Sequence, residues 1–359
     1  MKRLSRRGYI GVAALALSTA CAEGEGPAGL PQSAAAQGLL ARGQLAVYNG
    51  GVDRAAPAQP CADDARYRQF DFWVGDWNVT AANGAGGSTN RITAGLDGCL
   101  VSENWTAGNG IRGRSINAYD RDLDQWHQTW VSAQPFGHLR MAGGLVADTM
   151  VLRGRRDLAS GTVLLDEYRW HVLATGQVVQ AWTLDVSNPP QHFGGALTYT
   201  RTPSLTPPAE THTVACQPGG LAANARQLDF LHGTWTVSAQ QGPALGTASI
   251  TGDLSGCLTE ENYATAQGYA ATSFFYWDPR QNAWFRTYID SEGERLELRG
   301  AFADGRLVLT GTEPGRDGRS VQVRMTLEPV SADTVRQEWA VSEDGAAWET
   351  EMSLVLTRA

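Results

Sequence analysis

Two short stretches of this 359-residue chain set a carboxylate among aromatic and apolar residues at the spacing of one strand face. In the first, Val101, Glu103 and Trp105 alternate; in the second, Thr259, Glu261 and Tyr263 do the same. A carboxyl group between apolar side chains loses hydration, so its pKa rises and it can serve as an acid or base, or orient a ligand. A structural Glu bonded to a neighbouring Arg or to backbone uses the same residue type. Trp126, Gln128 and Trp130, answered by Trp284, Arg286 and Tyr288, each hold a polar group between two aromatic ones, which suits contact with a small ligand. The opposite face of the second triplet, Phe285, Thr287 and Ile289, is just as apolar, so alternation leaves both faces open as the inner one. These ten residues, the two Glu and their aromatic and polar companions, are the candidate ligand site, with Glu103 or Glu261 as the acid if the chain is an enzyme.

Other chemistries find less support. Gly108-Asn109-Gly110-Ile111-Arg112-Gly113 has dinucleotide-loop spacing but lies between two strand-like runs with no helix after it, and it reads as a hairpin loop. Asp120, Asp122 and Asp124 are followed by Gln125 where a calcium loop needs Gly, so they read as a turn. The six His residues, His127, His138, His171, His192, His212 and His232, show no metal-ligand spacing. Haem on a single imidazole, His127 or His171, is the remaining cofactor alternative; otherwise no cofactor or metal is expected. There is no Gly-x-Ser-x-Gly nucleophile signature. The net charge of -8 comes without a Lys/Arg run beyond the first seven residues, which argues against nucleic acid as a partner.

An internal repeat must position these residues. Asp71-Phe72-Trp73-Val74-Gly75-Asp76-Trp77 returns as Asp229-Phe230-Leu231-His232-Gly233-Thr234-Trp235, 158 positions on. Gly98-Cys99-Leu100 with Glu103-Asn104-Trp105 returns as Gly256-Cys257-Leu258 with Glu261-Asn262-Tyr263 at the same offset. Near the end Gln180-Ala181-Trp182 answers Gln337-Glu338-Trp339, one position out of phase, so one loop residue has been lost. Each copy carries one Cys before its Asp-Phe segment and one in Gly-Cys-Leu. Cys61 with Cys99 and Cys216 with Cys257 are therefore equivalent pairs, each bridge stabilising by roughly 3 to 4.5 kcal/mol. The fifth cysteine, Cys21, is left over.

Within each copy, short runs rich in Val, Thr, Tyr, Trp and Leu are punctuated by Gly, Asp or Asn, without a helical stripe. In the first copy nine strands are expected, from Trp77-Thr80, Cys99-Trp105, Arg114-Tyr119 and Gln125-Val131 through to Ala196-Arg201. Such a meander closes into a barrel to remove its edges. Only Ala62 to Phe70 and its counterpart look helical, as a lid or plug at the barrel entrance. The chain divides into a signal peptide (1–21), a flexible linker (22–58), barrel 1 (59–202), a second linker (203–213) and barrel 2 (214–359). Lys2, Arg3, Arg6 and Arg7 precede the apolar Tyr9 to Leu17, an export signal of either the twin-arginine or the general secretory kind. Leu17-Ser18-Thr19-Ala20-Cys21 is similar to a lipoprotein box, with Ser18 where a branched apolar residue is usual, so Cys21 is the candidate lipid anchor and the only expected membrane contact. Oligomeric state is left open.

Gly75-x-Trp77 and Gly233-x-Trp235 at the first strand, with Arg201 and Arg358 ending the last, resemble the lipocalin (calycin) closure. In that closure an Arg of the final strand covers a Trp at the barrel base. Asp-Phe-x-x-Gly-x-Trp, Gly-Cys-x-x-x-Glu and Tyr-Asp with a following Trp-x-x-Thr-Trp together resemble a bacterial family known as domain of unknown function 1579, over residues 63–201 and 221–358. The resemblance implies an all-β fold of two tandem antiparallel lipocalin-like barrels. The expected function is a periplasmic or envelope-tethered binder of a small apolar molecule. Tandem barrels of this kind also resemble carotenoid hydratases and some natural-product cyclases, which implies the enzyme alternative. A third reading makes one barrel a filled scaffold and the other the functional one.

Overall fold

In a computed structural model, the described residues are 60–359 except 136, 159, 241 and 315–319. The export signal, Cys21 and the first linker lie outside them. The described chain forms two closed antiparallel barrels of ten strands each. The first consists of β1 (Gly75–Ala81), β2 (Ser88–Gly95), β3 (Leu100–Thr106), β4 (Arg112–Asp120), β5 (Gln125–Ser132), β6 (Leu139–Val146), β7 (Thr149–Asp157), β8 (Val163–Val172), β9 (Val178–Ser187) and β10 (Pro190–Arg201). The second follows as β11 (Gly233–Ala239), β12 (Ala244–Asp253), β13 (Leu258–Ala264), β14 (Ala270–Asp278), β15 (Ala283–Asp290), β16 (Arg295–Ala303), β17 (Arg306–Pro314), β18 (Ser320–Ser331), β19 (Thr334–Ser342) and β20 (Glu349–Arg358). β2 is the strand absent from the nine expected ones. Its run Ser-Thr-Asn-Arg-Ile-Thr-Ala-Gly has one large apolar residue, Ile92, because Asn90 occupies a neighbouring inward position.

Closure follows from first pairing with last. Trp77 lies opposite Arg201 in the β1–β10 ladder, and Trp235 opposite Arg358 in β11–β20. Each guanidinium sits 4.3 Å from the indole it covers. Each indole N–H donates to the carbonyl four residues back, Trp73 at 2.8 Å and Leu231 at 2.6 Å. Gly75 and Gly233 have φ of +149° and +144°, and a Cβ there would lie 2.2 and 2.3 Å from Nη1 of the covering arginine. Only glycine admits both that backbone and that approach.

The segment before β1 is a short helix α1 (Pro60–Asp63) and two 3₁₀ turns, Ala65–Arg68 and Asp71–Trp73; its counterpart is a 3₁₀ stretch, Ala223–Leu231. Of the lid or plug expected here, the structure has the plug. Phe70 and Trp73 are fully buried under Trp77, Trp126 and Trp170, so the segment is the floor of the barrel. Disulfides Cys61–Cys99 and Cys216–Cys257, closing separations of 38 and 41 residues, fasten each floor segment to the turn before β3 or β13.

The barrels pack side by side in opposite senses. Outward residues Ile116, Ala118 and Val131 of barrel 1 share one apolar cluster with Phe274, Tyr276, Phe285 and Ile289 of barrel 2. Phe285, Thr287 and Ile289 are apolar because the neighbouring barrel covers them, which settles which face of β15 points inward. Thr129 and Thr287 share a hydrogen bond of 2.9 Å and stand 158 positions apart, the offset of the repeat, so a pseudo-two-fold axis passes between them. Asp120, at the floor end of barrel 1, lies 3.6 Å from Arg295 at the open end of barrel 2, while His138 at the open end of barrel 1 packs 5.1 Å from Tyr276. Arg114 adds ion pairs to Asp253 and Glu260 at 3.1 and 2.5 Å.

The Arg201 guanidinium also donates to the carbonyls of Val74 and Phe72, at 3.0 and 3.4 Å. Arg201→Ala is expected to destabilise barrel 1 by about 1–2 kcal/mol, read as a lower urea midpoint. An unchanged midpoint would show that backbone pairing alone closes the barrel.

Candidate functional site

Register identifies the lining of barrel 1. Ile92, Glu103, Ser115, Trp130 and Leu139 are successive cross-strand partners from β2 to β6, so they share the inner face. Asn117, Gln128 and Met141 form the next inner row toward the floor, and Leu152, Tyr168 and Trp182 line the opposite wall. Glu103 is 4% exposed, at mid-height.

Its carboxylate is held by neutral donors. Asn90 Nδ2 donates to Oε1 at 2.6 Å and Ser115 Oγ to Oε2 at 2.7 Å. Asn117 Nδ2 donates to Ser115 Oγ at 3.0 Å, and Gln128 Nε2 to Asn117 Oδ1 at 2.8 Å. The other inward charges in barrel 1 are committed elsewhere. Arg156 makes a two-pronged pair with Asp166, at 2.7 and 2.9 Å, and Arg201 lies over Trp77. Burial pushes the Glu103 carboxyl up to about 7, against the opposing hydrogen bonds from Ser115 and Asn90. Burial foremost, with the Glu103 charge among the further causes, raises the hydroxyls of Tyr199 and Tyr168.

Above this carboxylate stands an aromatic wall. Trp105, Trp130, Tyr168 and Trp182 face inward yet keep partial exposure, so solvent reaches them through the open end. A Cβ at Gly113 would lie 2.2 Å from the Trp130 ring, so glycine lets that indole lie flat on the wall.

Barrel 2 handles the same positions differently. Arg286, at the place of Gln128, donates to Glu261 Oε2 and to Ser273 Oγ, both at 2.9 Å. Its guanidinium lies 5.1, 5.2 and 5.3 Å from the rings of Phe275, Tyr288 and Trp339. Tyr263, Met325 and Trp339 stand at the register positions of Trp105, Tyr168 and Trp182 and are buried. A cavity of about 10 Å³ beside Glu261, lined in part by Ile250, Phe275 and Met325, has room for about one water.

The sequence-derived candidates therefore separate. Glu103, Trp105, Gln128 and Trp130 gather in the barrel 1 lumen, and Glu261, Tyr263, Arg286 and Tyr288 fill barrel 2. Trp126 and Trp284 belong to the floors, where their indole N–H groups donate to Gln69 Oε1 at 3.1 Å and Gln227 Oε1 at 2.9 Å. As ligand contacts these two are corrected. The haem alternative is corrected too. His127 faces outward at the seam between the barrels, where burial and then Arg295 depress it to about 3, and His171 pairs with Thr149 and Val179 on the outer face. Among the described residues no three His, Cys, Asp or Glu side chains gather as metal ligands would. Asn90, Asn117, Tyr168, Trp182 and the Arg156–Asp166 pair are site residues that sequence reasoning missed. The replacement of Tyr168 by Met325 within the repeat was the available signal.

No family model and no curated protein matches the chain. A candidate outer membrane protein of Bacteroides fragilis is 9% identical, the match covering 81% of this chain and 99% of that one, with a TM-score of 0.19. A protein of unknown function from the DUF3598 family, of Nostoc punctiforme, is 12% identical over 82% of this chain and 100% of its own, with a TM-score of 0.21. At these scores neither bears on function.

The Glu103 carboxyl has a folded pKa near 7 against an ordinary value of 4.5. Its contribution to stability is full below about 4.5 and lost as pH rises through about 7. Glu103→Gln is expected to be nearly neutral at pH 4 and to stabilise the protein by up to about 3 kcal/mol at pH 8. Urea unfolding at the two pH values checks this, and equal effects at both would rule out a strained carboxylate.

Proposed function

We propose that the chain is an exported binding protein whose barrel 1 receives a small, mainly apolar molecule, while barrel 2 is its filled partner. The observation that carries this reading is the contrast at matched positions: Trp105, Tyr168 and Trp182 are partly exposed, whereas Tyr263, Met325 and Trp339 are buried. Aromatic walls above a small polar cluster at mid-height, Glu103 with Asn90 and Ser115, suit a ligand held mainly by apolar contact and oriented by a few hydrogen bonds. The two disulfides fit an extracytoplasmic protein. Export through the N-terminal signal, a lipid anchor at Cys21 and membership of the domain of unknown function 1579 family complete the proposal.

Nile red, a neutral apolar dye, tests it. The expected result is saturable binding of one dye per chain with blue-shifted emission. Gly113→Ala, which pushes Trp130 into the cup, is expected to weaken binding about tenfold at unchanged circular dichroism. Absent saturable binding, or binding indifferent to Gly113→Ala, overturns the reading.

One observation favours acid catalysis as the second reading: burial pushes the Glu103 carboxyl up to about 7 beneath the rings of Trp105 and Trp130. Hydration, isomerisation or cyclisation of an unsaturated substrate would begin with transfer of the Glu103 proton to a substrate carbon. Carotenoid or terpenoid probes incubated in deuterium oxide would then return products deuterated at that carbon, and Glu103→Gln would abolish the label. Products without deuterium, or label retained in Glu103→Gln, reject this reading.

A further inference from the structure

We propose that the barrel 1 cup takes an organic cation, a protonated amine or guanidine on an aromatic or otherwise apolar body, with its charge seated against Glu103. This rests on the reading of barrel 1 as a receptive cup and names the ligand chemistry.

Barrel 2 displays the arrangement in finished form. There the repeat-equivalent carboxylate, Glu261, is met by a cation belonging to the chain itself, Arg286, which also donates a hydrogen bond to Ser273 Oγ and lies among Phe275, Tyr288 and Trp339. A carboxylate on one side and ring faces on the others is how proteins hold a desolvated cation. Barrel 1 keeps most of these parts. Glu103 matches Glu261, Ser115 matches Ser273, Trp130 matches Tyr288 and Trp182 matches Trp339. Two parts differ: Asn117 stands where barrel 2 has the Phe275 ring, and Gln128 replaces Arg286 and turns its amide to that Asn117 at 2.8 Å.

Charge accounting within the lumen leads to the same ligand. Of the inward-facing charged groups of barrel 1, Arg156 and Asp166 neutralise each other and Arg201 lies at the floor end over Trp77. Glu103 is left with only the dipoles of Asn90 and Ser115. A buried carboxylate without a counter-charge is costly, and a ligand that supplies one recovers that cost as affinity. The partly exposed rings of Trp105, Trp130, Tyr168 and Trp182 would enclose its apolar body.

The titratable groups facing Glu103 make the pH behaviour specific. Tyr168 on β8 and Tyr199 on β10 are raised and stay neutral, and Asp166 is tied to Arg156. Glu103 itself, pushed up to about 7, must ionise to hold the cation, so affinity for an amine is expected to rise as pH passes from about 5.5 to about 8.

A matched pair of probes tests this: 2-naphthylmethylamine and 2-naphthalenemethanol, which share a body and differ in charge. Each is titrated calorimetrically, and by displacement of Nile red, into the intact protein. At about pH 8 the amine is expected to bind about tenfold tighter than the alcohol, and the difference to vanish at about pH 5.5. Glu103→Gln should bind the two alike. Gln128→Arg, which builds the barrel 2 cation into barrel 1, should remain folded and lose the amine; should that variant fail to fold, Glu103→Gln alone decides. Equal affinity of the wild-type protein for both probes, or a preference for the alcohol, overturns the cation while leaving the Nile red result and the cup intact. Failure of the dye and both probes to bind removes the cup and this inference together.

Discussion

Everything in this molecule depends on the pairing of the first strand of each barrel with its last. A ten-stranded antiparallel sheet left open would expose two rows of unpaired N–H and C=O groups. Here β1 meets β10 and β11 meets β20, and the row is used up. The covering arginine works at three levels at once: its guanidinium lies on the indole, its N–H groups satisfy carbonyls of the floor segment, and its reach dictates glycine at 75 and 233. The floor segment is in turn fastened by its disulfide, so closure of the wall and sealing of the base are one arrangement. A base sealed by the chain's own aromatic residues is the result.

Within that frame the two lumens solve the same electrostatic problem in different ways. Each contains a glutamate on its third strand, at a depth where water cannot solvate it well. Barrel 2 neutralises it internally, and the guanidinium that does so also occupies the space, drawing Phe275, Tyr288, Trp339 and Met325 around it. Barrel 1 offers amide and hydroxyl dipoles instead, which leaves the carboxyl without a counter-charge beneath partly exposed rings. Gln128 against Arg286 is the divergence that sets the charge balance, and Asn117 against Phe275, Tyr168 against Met325 and Trp105 against Tyr263 accompany it on the inner faces.

Much of the architecture was legible because it is carried by residues that repeat. The motif Asp-Phe-x-x-Gly-x-Trp, the terminal Arg and the matched cysteines recur in both copies, and each performs a local task that backbone geometry enforces. β2 was hidden because its inward residues are Asn90 and Ile92 rather than two large apolar ones. Strand faces were hidden for a different reason. β15 is apolar on both sides, Trp284 and Tyr288 turned into the lumen and Phe285 and Ile289 turned to the other barrel, and alternation cannot tell a core from an interface. Glu103 and Glu261 looked equivalent in the sequence, and only the side chains brought to them from other strands distinguish a structural ion pair from an uncompensated carboxylate. Trp126 was misread for the related reason that inward and reachable are separate properties: it faces the lumen but lies in the floor.

The hydrogen bond between Thr129 and Thr287 has a consequence for how such a chain can change over time. Two equivalent positions meeting across an axis is the geometry of an isologous dimer, in which a substitution in one subunit necessarily appears in both. Were the barrels separate copies of one polypeptide, an arginine that plugged one lumen would plug the other. Joined in one chain, the halves are freed from that equality, and the covalent link holds them together at any dilution. One half can then surrender its interior to become a rigid neighbour, while the other keeps an opening whose contents are free to be selected.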